Sequence, residues 1–289
     1  MSGPAGTSIA AIVSHAAAAL EAAGLQQIDA RQDAAVLARH ALGWTLEHWL
    51  GHQRDAAPDR FEATFATLIA RRASREPVAY ITGEREFYWR AFAVSPAVLI
   101  PRPETELIID AAIRASGACR FPDIVDVGTG SGCIAVTIAA EMPHATVMAT
   151  DISAAALSIA SANAARHGVA DRIEFRRGAF FAGLTAPVDI VLSNPPYVPT
   201  RDRVTMAPEV EASEPAEALF AGSDGLDCIR PLLSLTPDWL RPNGTLIFEF
   251  GFGQMLHIKR LIECQPALRL QEWLPDLQGI PRVAIVVRR

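Results

Sequence analysis

The 289-residue sequence predicts an open, mostly parallel α/β sheet domain with one antiparallel strand near its C-terminal end, preceded by a small helical bundle. Three observations carry this. Residues 1 to about 75 show helical periodicity only. From Asp123 onward, short β-branched runs alternate with helical runs. The last two strand-like runs have no helix between them, whereas a parallel crossover needs a dozen or more residues.

Ser8 is placed to cap a first helix that stops at Gly24. Asp29 to Gln32 reads as an acidic variant of a capping box, starting a helix that ends near Gly43. Thr45 to Leu50 is a short third helix, and Asp59 to Arg72 a fourth with Phe61, Phe65, Leu68 and Ile69 on one face. From Val78 the pattern changes. Tyr80-Ile81, Glu86 to Trp89 and Phe92 to Val94 suggest a hairpin or ribbon, giving a linker over 76–100 between a helical domain at 1–75 and a sheet domain at 101–289. Pro101 and Pro103 precede a helix from Glu104 to Ala115.

Strands are expected at Asp123 to Val127, Ala145 to Thr150, Ile173 to Arg176 and Val188 to Ser193, with helices at Cys133 to Glu141 and Ala154 to His167. Gly225 to Leu240 is mainly helical, bent or divided by Pro231 and Pro237. Thr245 to Phe250 is a strand and Gln254 to Cys264 a helix. Leu268 to Leu274 and Arg282 to Val287 close the chain as a strand pair. Thr200 to Pro215 is polar and acidic and reads as a long loop near the site.

Composition narrows the function. Half the residues are apolar, enough for a sizeable core. The net charge is −6, from 26 basic and 32 acidic residues, which argues against coating nucleic acid by charge. Lys259 is the sole lysine, a bias of composition rather than a site. Cysteines 119, 133, 228 and 264 show no C-x-x-C spacing, so neither a zinc ribbon nor a disulfide scaffold is indicated. The Ala-rich run from Ile9 to Ala23 has no basic residue before Arg31 and is interrupted by Ser14, His15 and Glu21, unlike a signal peptide or a membrane span. A cytoplasmic protein is expected. His48 and His52 lie four apart, but no third ligand accompanies them and no metal site is expected.

Two motifs carry chemistry. Asp126-Val-Gly128-Thr129-Gly130-Ser131-Gly132 follows a buried strand and opens a helix, where glycines let a ligand approach the backbone. Asp151 ends the next strand, 23 residues after Gly128, and its carboxylate can accept from a ribose diol. This pair leaves NAD and S-adenosylmethionine both open; the G-x-G-x-G spacing favours the latter. The bland reading is a loop of glycines and a helix-capping Asp. The second motif is Ser193-Asn194-Pro195-Pro196-Tyr197 at a strand's carboxyl end, where open α/β sheets place ligands. The prolines remove two N–H donors and leave acceptors, the Asn194 side-chain oxygen and the Pro195 carbonyl. Such a cluster suits a substrate presenting NH₂, with Tyr197 as a flat wall. A rigid turn alone needs neither that Asn nor that Tyr.

Together the glycine loop, Asp151 and Asn194 to Tyr197 resemble a class I methyltransferase acting on a planar amide or amine nitrogen. Further segments are Gly83 to Tyr88, Phe92-Ala-Val94, Val98-Leu-Ile-Pro-Arg102-Pro-Glu104-Thr-Glu106, Glu211 to Pro215, Gly222 to Gly225, Glu249-Phe-Gly-Phe-Gly-Gln254 and Asp276 to Gly279 with Arg282. In order and spacing these are similar to the peptide chain release factor glutamine N5-methyltransferases, the HemK-type family. The likeness runs from about residue 77 to the end, and the helical part fits the family's small recognition domain. Asn-Pro-Pro-Tyr is shared with adenine N6-methyltransferases, so Ile-Pro-Arg-Pro-Glu-Thr-Glu is the more specific signal.

The resemblance implies that Gly128 to Gly132, Asp151, Phe180 and Asn194 hold S-adenosylmethionine. It implies that Asn194, Pro195, Pro196 and Tyr197 hold the glutamine, with Asn194, Pro195 and Tyr197 catalytic. One departure is Ala179 before Phe180, where the family often has an acidic residue; a side-chain bond from 179 to the adenine amine is lost. Arg102, Glu104 and Glu249 have no assigned role; Glu249 either lines the cleft or caps a helix. The implied reaction moves a methyl group to the Gly-Gly-Gln glutamine of class I release factors. Separately, a monomer is expected, with no membrane and no direct nucleic-acid partner. The alternatives are a ribosomal-protein glutamine, adenine N6 in DNA, or a non-catalytic module that binds the cofactor. The acidic balance weakens the nucleic-acid reading, and the intact Asn194 and Tyr197 weaken the non-catalytic one.

Overall fold

A computed structural model describes residues 7–117 and 121–289; Cys119 lies outside them. The chain packs as two compact units.

The first unit runs up to Gly83, rather than ending near residue 75, and takes in Pro208–Ser213. Helix α1 (Ile9–Ala22) starts at Ser8, whose hydroxyl accepts from the Ala11 amide at 3.3 Å, and buries Ile9, Val13, Ala17 and Leu20 at helical spacing. Helix α2 (Gln27–Leu42) begins two residues before the expected cap. Asp29 therefore sits inside its first turn, where a carboxylate favours the helix dipole, and Gln26 caps with backbone only. Gly43, at φ 65°, closes it. Helix α3 (Leu46–His52) is capped by Thr45, and His48 and His52 stack with centroids 4.1 Å apart. Helix α4 (Phe61–Ala73) buries Phe61, Phe65 and Ile69. Tyr80 and Ile81, expected to be extended, lie instead on a short helix α5 (Val78–Thr82) entered from Pro77 and closed by Gly83 at φ 78°.

Arg72 of α4 is 6% exposed, and its guanidinium donates to Asp33 at 2.6 Å and to Glu209 at 3.2 Å. Two carboxylates thus compensate a cation that burial would otherwise penalise.

The second unit opens with an antiparallel ribbon, β1 (Glu84–Phe87) and β2 (Arg90–Ala93). Its two turn residues, Tyr88 and Trp89, have φ 47° and 62°, a region that favours Gly or Asn. Tyr88 is held there by its amide, which donates to Glu106, and by its hydroxyl, which donates to Asp110. Pro103–Thr105 forms one 3₁₀ turn before α6 (Glu106–Ser116). The βα alternation follows as β3 (Asp123–Val127), α7 (Cys133–Glu141), β4 (Thr146–Asp151), α8 (Ala154–Arg166), β5 (Ile173–Arg177) and β6 (Val188–Ser193).

The expected loop at Thr200 to Pro215 is ordered as a 3₁₀ segment (Thr200–Thr205) and α9 (Pro208–Ser213), the latter belonging to the first unit. Then come α10 (Ala216–Leu219), α11 (Ile229–Trp239), β7 (Leu240–Glu249), α12 (Met255–Glu263), β8 (Leu268–Pro275) and β9 (Pro281–Arg288). Helix α11 is undivided: Pro231 falls in its first turn, and the helix ends two residues after Pro237. Strand β7 starts five residues before Thr245, passing through Asn243 at φ 63°.

Among the described residues seven strands form one sheet, ordered β5-β4-β3-β6-β7-β9-β8. Strands β3 to β7 pair in parallel, and β9 is antiparallel to both its neighbours. Ile124, Ile190 and Ile247 face one layer with Ile108, Ile134 and Ile138; Val125, Val191, Leu246 and Phe248 face the other with Leu232 and Ile258. Strand order reverses between β3 and β6, which opens a crevice at their carboxyl ends.

Candidate active site

The glycine loop leaves β3 at that crevice. Gly128, Gly130 and Gly132 have φ 75°, 55° and 80°, and the Gly128 and Thr129 amides donate to the Thr150 carbonyl at 2.9 Å each. A Cβ on Gly132 would come within 2.9 Å of Ala160 Cβ, so this glycine serves close packing of α7 on α8 rather than the ligand face.

Beneath the loop Asp126 is fully buried. Its Oδ2 accepts from Thr129 Oγ1 at 2.6 Å and from the Ala135 amide at 3.2 Å, while Oδ1 has no partner. Burial pushes its carboxyl up to about 7. Asp151 ends β4 with both oxygens engaged. Oδ2 accepts from the Gly130 amide at 2.9 Å and Oδ1 from the Ser153 amide at 2.8 Å. One carboxylate therefore ties the tip of the glycine loop to the start of α8, and each oxygen keeps a further lone pair.

A cavity of about 350 Å³ is lined by Gly128 to Ser131, Asp151, Ala179, Phe180 and Asn194 to Pro196. Two sequence motifs 66 residues apart, at Gly128 and Asn194, thus share one wall. Gly132 and Tyr197 do not line the cavity. Phe180, at φ 52°, is held by its carbonyl accepting from Thr150 Oγ1 at 2.6 Å.

Behind Asn194 lies a chain of polar contacts. Asn194 Nδ2 donates to Thr105 Oγ1 at 2.9 Å, and Thr105 Oγ1 donates to Glu249 Oε2 at 2.6 Å. Tyr197 Oη donates to the other oxygen, Glu249 Oε1, at 2.9 Å. Thr105 and Glu249 are each 1% exposed. Burial raises the Glu249 carboxyl, partly offset by these two donors. Burial and the neighbouring carboxylate hold the Tyr197 hydroxyl well above the usual phenol range. The Tyr197 carbonyl accepts from Gln254 Nε2 at 2.9 Å, and Gly225 packs so closely that a Cβ would lie 2.2 Å from it. Glu214 accepts from the Ile100 amide at 3.1 Å and from Arg102 at 2.5 Å, which fixes the proline-bounded segment.

Sequence reasoning set Asp126 at the head of the glycine motif without a role, and missed Thr105 and Glu214 as members of this region. Thr105 and Glu214 stand inside the family-like segments, but nothing in their spacing shows that they meet partners 89 to 144 residues away. For Asp126 the signal was available: a carboxylate inside an otherwise apolar strand has to be buried.

The sheet order, the glycine loop, the acidic end of β4 and the Asn-Pro-Pro-Tyr turn after β6 define a class I methyltransferase. The hMettl16 catalytic domain, solved in complex with MAT2A 3'UTR hairpin 6, has the same fold at a TM-score of 0.56 and 18% identity, covering 76% of this chain and 81% of that one. Residues 11–83 match the PrmC N-terminal domain and residues 106–217 the methyltransferase small domain.

The chain belongs to the release factor glutamine methyltransferase family. It is 43% identical to the protein of that name from Cereibacter sphaeroides, over 91% of this chain and 92% of the relative. It is 42% identical to the one from Nitratidesulfovibrio vulgaris, over 96% of each. Among the described residues no helix is long and apolar enough to cross a membrane.

Proposed function

We propose that this enzyme transfers a methyl group from S-adenosylmethionine to the side-chain amide nitrogen of the glutamine in the Gly-Gly-Gln motif of class I release factors. The observation that carries it is the shared cavity: Asn194 and Pro195 line the same space as the glycine loop and Asp151. The residues fit the cofactor. Asp151 has a lone pair left on each oxygen for a ribose diol, Ile152 and Phe180 offer apolar walls for a base, and the glycines leave the loop backbone bare. With Ala179 in the wall, the adenine amine is left to backbone acceptors.

Bound there, S-adenosylmethionine supplies a methyl carbon on a sulfonium, an excellent leaving group. An amide nitrogen is a poor nucleophile because its lone pair is delocalised, so alignment is the protein's main task. Asn194 Oδ1 and the Pro195 carbonyl accept the two amide protons and aim the nitrogen. Pro195 and Pro196 hold that backbone rigid and bring no donor to compete. Positive charge grows on the nitrogen in the transition state, and both acceptors bind it more tightly there. The product loses its proton to water. Tyr197 braces the turn from behind, its hydroxyl donating to Glu249 at 2.9 Å. The helical unit holds the release factor, because a glutamine side chain offers few atoms for selectivity.

Purified enzyme with methyl-labelled cofactor tests this against a class I release factor, a ribosomal protein and DNA in parallel. Label is expected in the release factor alone, and lost when its Gly-Gly-Gln glutamine is replaced. Label in the ribosomal protein or DNA instead would overturn the substrate assignment.

A further inference from the structure

We propose that Glu249 and Thr105 are positioning residues that decide which way the Asn194 amide faces, so that Oδ1 rather than Nδ2 is turned to the substrate. This rests on the function proposed above. The juxtaposition comes from three separate elements: Thr105 from the turn before α6, Glu249 from the end of β7, and Asn194 from the end of β6.

Hydrogen-bond polarity makes the choice. An asparagine amide has two ends of nearly equal shape but opposite character, and only one suits an NH₂ substrate. Rigid prolines fix the backbone of this turn but do not choose between the ends. A threonine hydroxyl has a single proton. Both Glu249 oxygens are acceptors here, Oε1 from Tyr197 Oη at 2.9 Å and Oε2 from Thr105 Oγ1 at 2.6 Å, so the threonine proton is spent on Oε2. Thr105 then faces Asn194 with lone pairs only, and the amide must answer with Nδ2, at 2.9 Å. A flipped amide would set Oδ1 against those lone pairs in a buried place, where an unmet acceptor is costly. The Tyr197 hydroxyl occupies the second Glu249 oxygen, so the carboxylate is held at both ends. Without the carboxylate the Thr105 proton is free to turn towards Asn194, the amide flips, and donor meets donor at the substrate nitrogen.

The test uses the full-length enzyme, release factor and labelled cofactor. Thr105→Val keeps shape and removes the relay; kcat is expected to fall roughly 10- to 100-fold, with KM for the release factor and cofactor Kd within about threefold. Thr105→Ser returns most of the rate. Glu249→Leu behaves like Thr105→Val, and the double variant is no slower than the poorer single, as expected for one relay. A second readout needs no substrate. In protein labelled with ¹⁵N-asparagine, the Asn194 Nδ2 protons exchange slowly in the wild type and in Thr105→Ser, and fast in Thr105→Val.

Turnover of Thr105→Val within twofold of wild type, no rescue by serine, or unchanged Nδ2 exchange each overturns the proposal. A wild type that leaves the release factor unmethylated while Nδ2 exchange follows the expected order removes the substrate reading and leaves the orientation role standing.

Discussion

Replacing Asp151 by alanine separates two roles that the geometry gives one side chain. Its carboxylate holds the Gly130 and Ser153 amides at 2.9 and 2.8 Å, and its remaining lone pairs are the expected acceptors for the cofactor ribose. Hydrogen bonds to a charged acceptor contribute about 1.5–3 kcal/mol. Loss of the ribose contact therefore weakens cofactor binding roughly 10- to 150-fold. Loss of the two backbone bonds lowers the melting temperature as well, since the glycine loop and the first turn of α8 both lose their tie. Titration calorimetry with S-adenosylhomocysteine and its 2′-deoxy analogue tells the roles apart. Wild type should discriminate strongly between the two ligands, and Asp151→Ala should bind them alike. A variant that melts earlier yet keeps the wild-type preference for the 2′-hydroxyl would refute the ribose role and leave Asp151 as a clamp on the loop.

Asn194→Ala should reduce turnover by about 10²–10⁴-fold with little change in cofactor affinity, because it removes one aligning acceptor from a dry site; turnover within a few-fold of wild type contradicts the role. Asp126, raised from 3.8 to about 7 by burial, binds a proton more readily folded than unfolded, so its contribution to stability is fullest below about pH 4 and declines as pH rises to about 7. Asp126→Asn should remove that decline, and its melting temperature should gain on wild type steadily across the window; parallel melting curves would count against it. Ile28 and Leu50 of the helical unit are 77% and 64% exposed. Ile28→Glu with Leu50→Glu should raise KM for the intact release factor while leaving methylation of a short Gly-Gly-Gln peptide unchanged, and equal losses on both substrates would assign these residues to stability instead.

Much of the catalytic unit was legible because its strands are buried on both faces and written as apolar runs. Asp123 to Val127 and Val188 to Ser193 are matched to the residue. The departures share a cause: local signals outweighed by packing. Tyr80 and Ile81 have strand-forming side chains, yet both are buried on a one-turn helix with Ala79. Pro242-Asn243-Gly244 reads as a turn, yet lies inside β7, where Asn243 takes a positive φ and the register with β6 shifts. Thr200 to Pro215 reads as loop because its proline and acidic content hides α9, which is ordered by the ion pair of Glu209 with Arg72, 137 residues away. The same limit governs the site. Asn194 and Asp151 announce themselves by motif, whereas the contacts of Thr105 with Glu249 depend on topology and leave no trace in spacing.

Strand β9 follows β8 in the chain but lies between β7 and β8, and this sets an order in time. As the chain is made, β8 appears with no neighbour to pair with, and the flank of β7 that will receive Val283 to Val287 stays open. The turn joining β8 to β9 is organised locally. Asp276 accepts from the Gln278 and Ile280 amides and from Arg282, so the two strands can close on each other first and then dock on β7 as a ready-made pair. Until they do, the parallel strands carry an unpaired edge that invites pairing with another chain. Among the described residues β8 pairs with β9 alone, so a chain cut before residue 281 loses the place of β8 in the sheet together with β9.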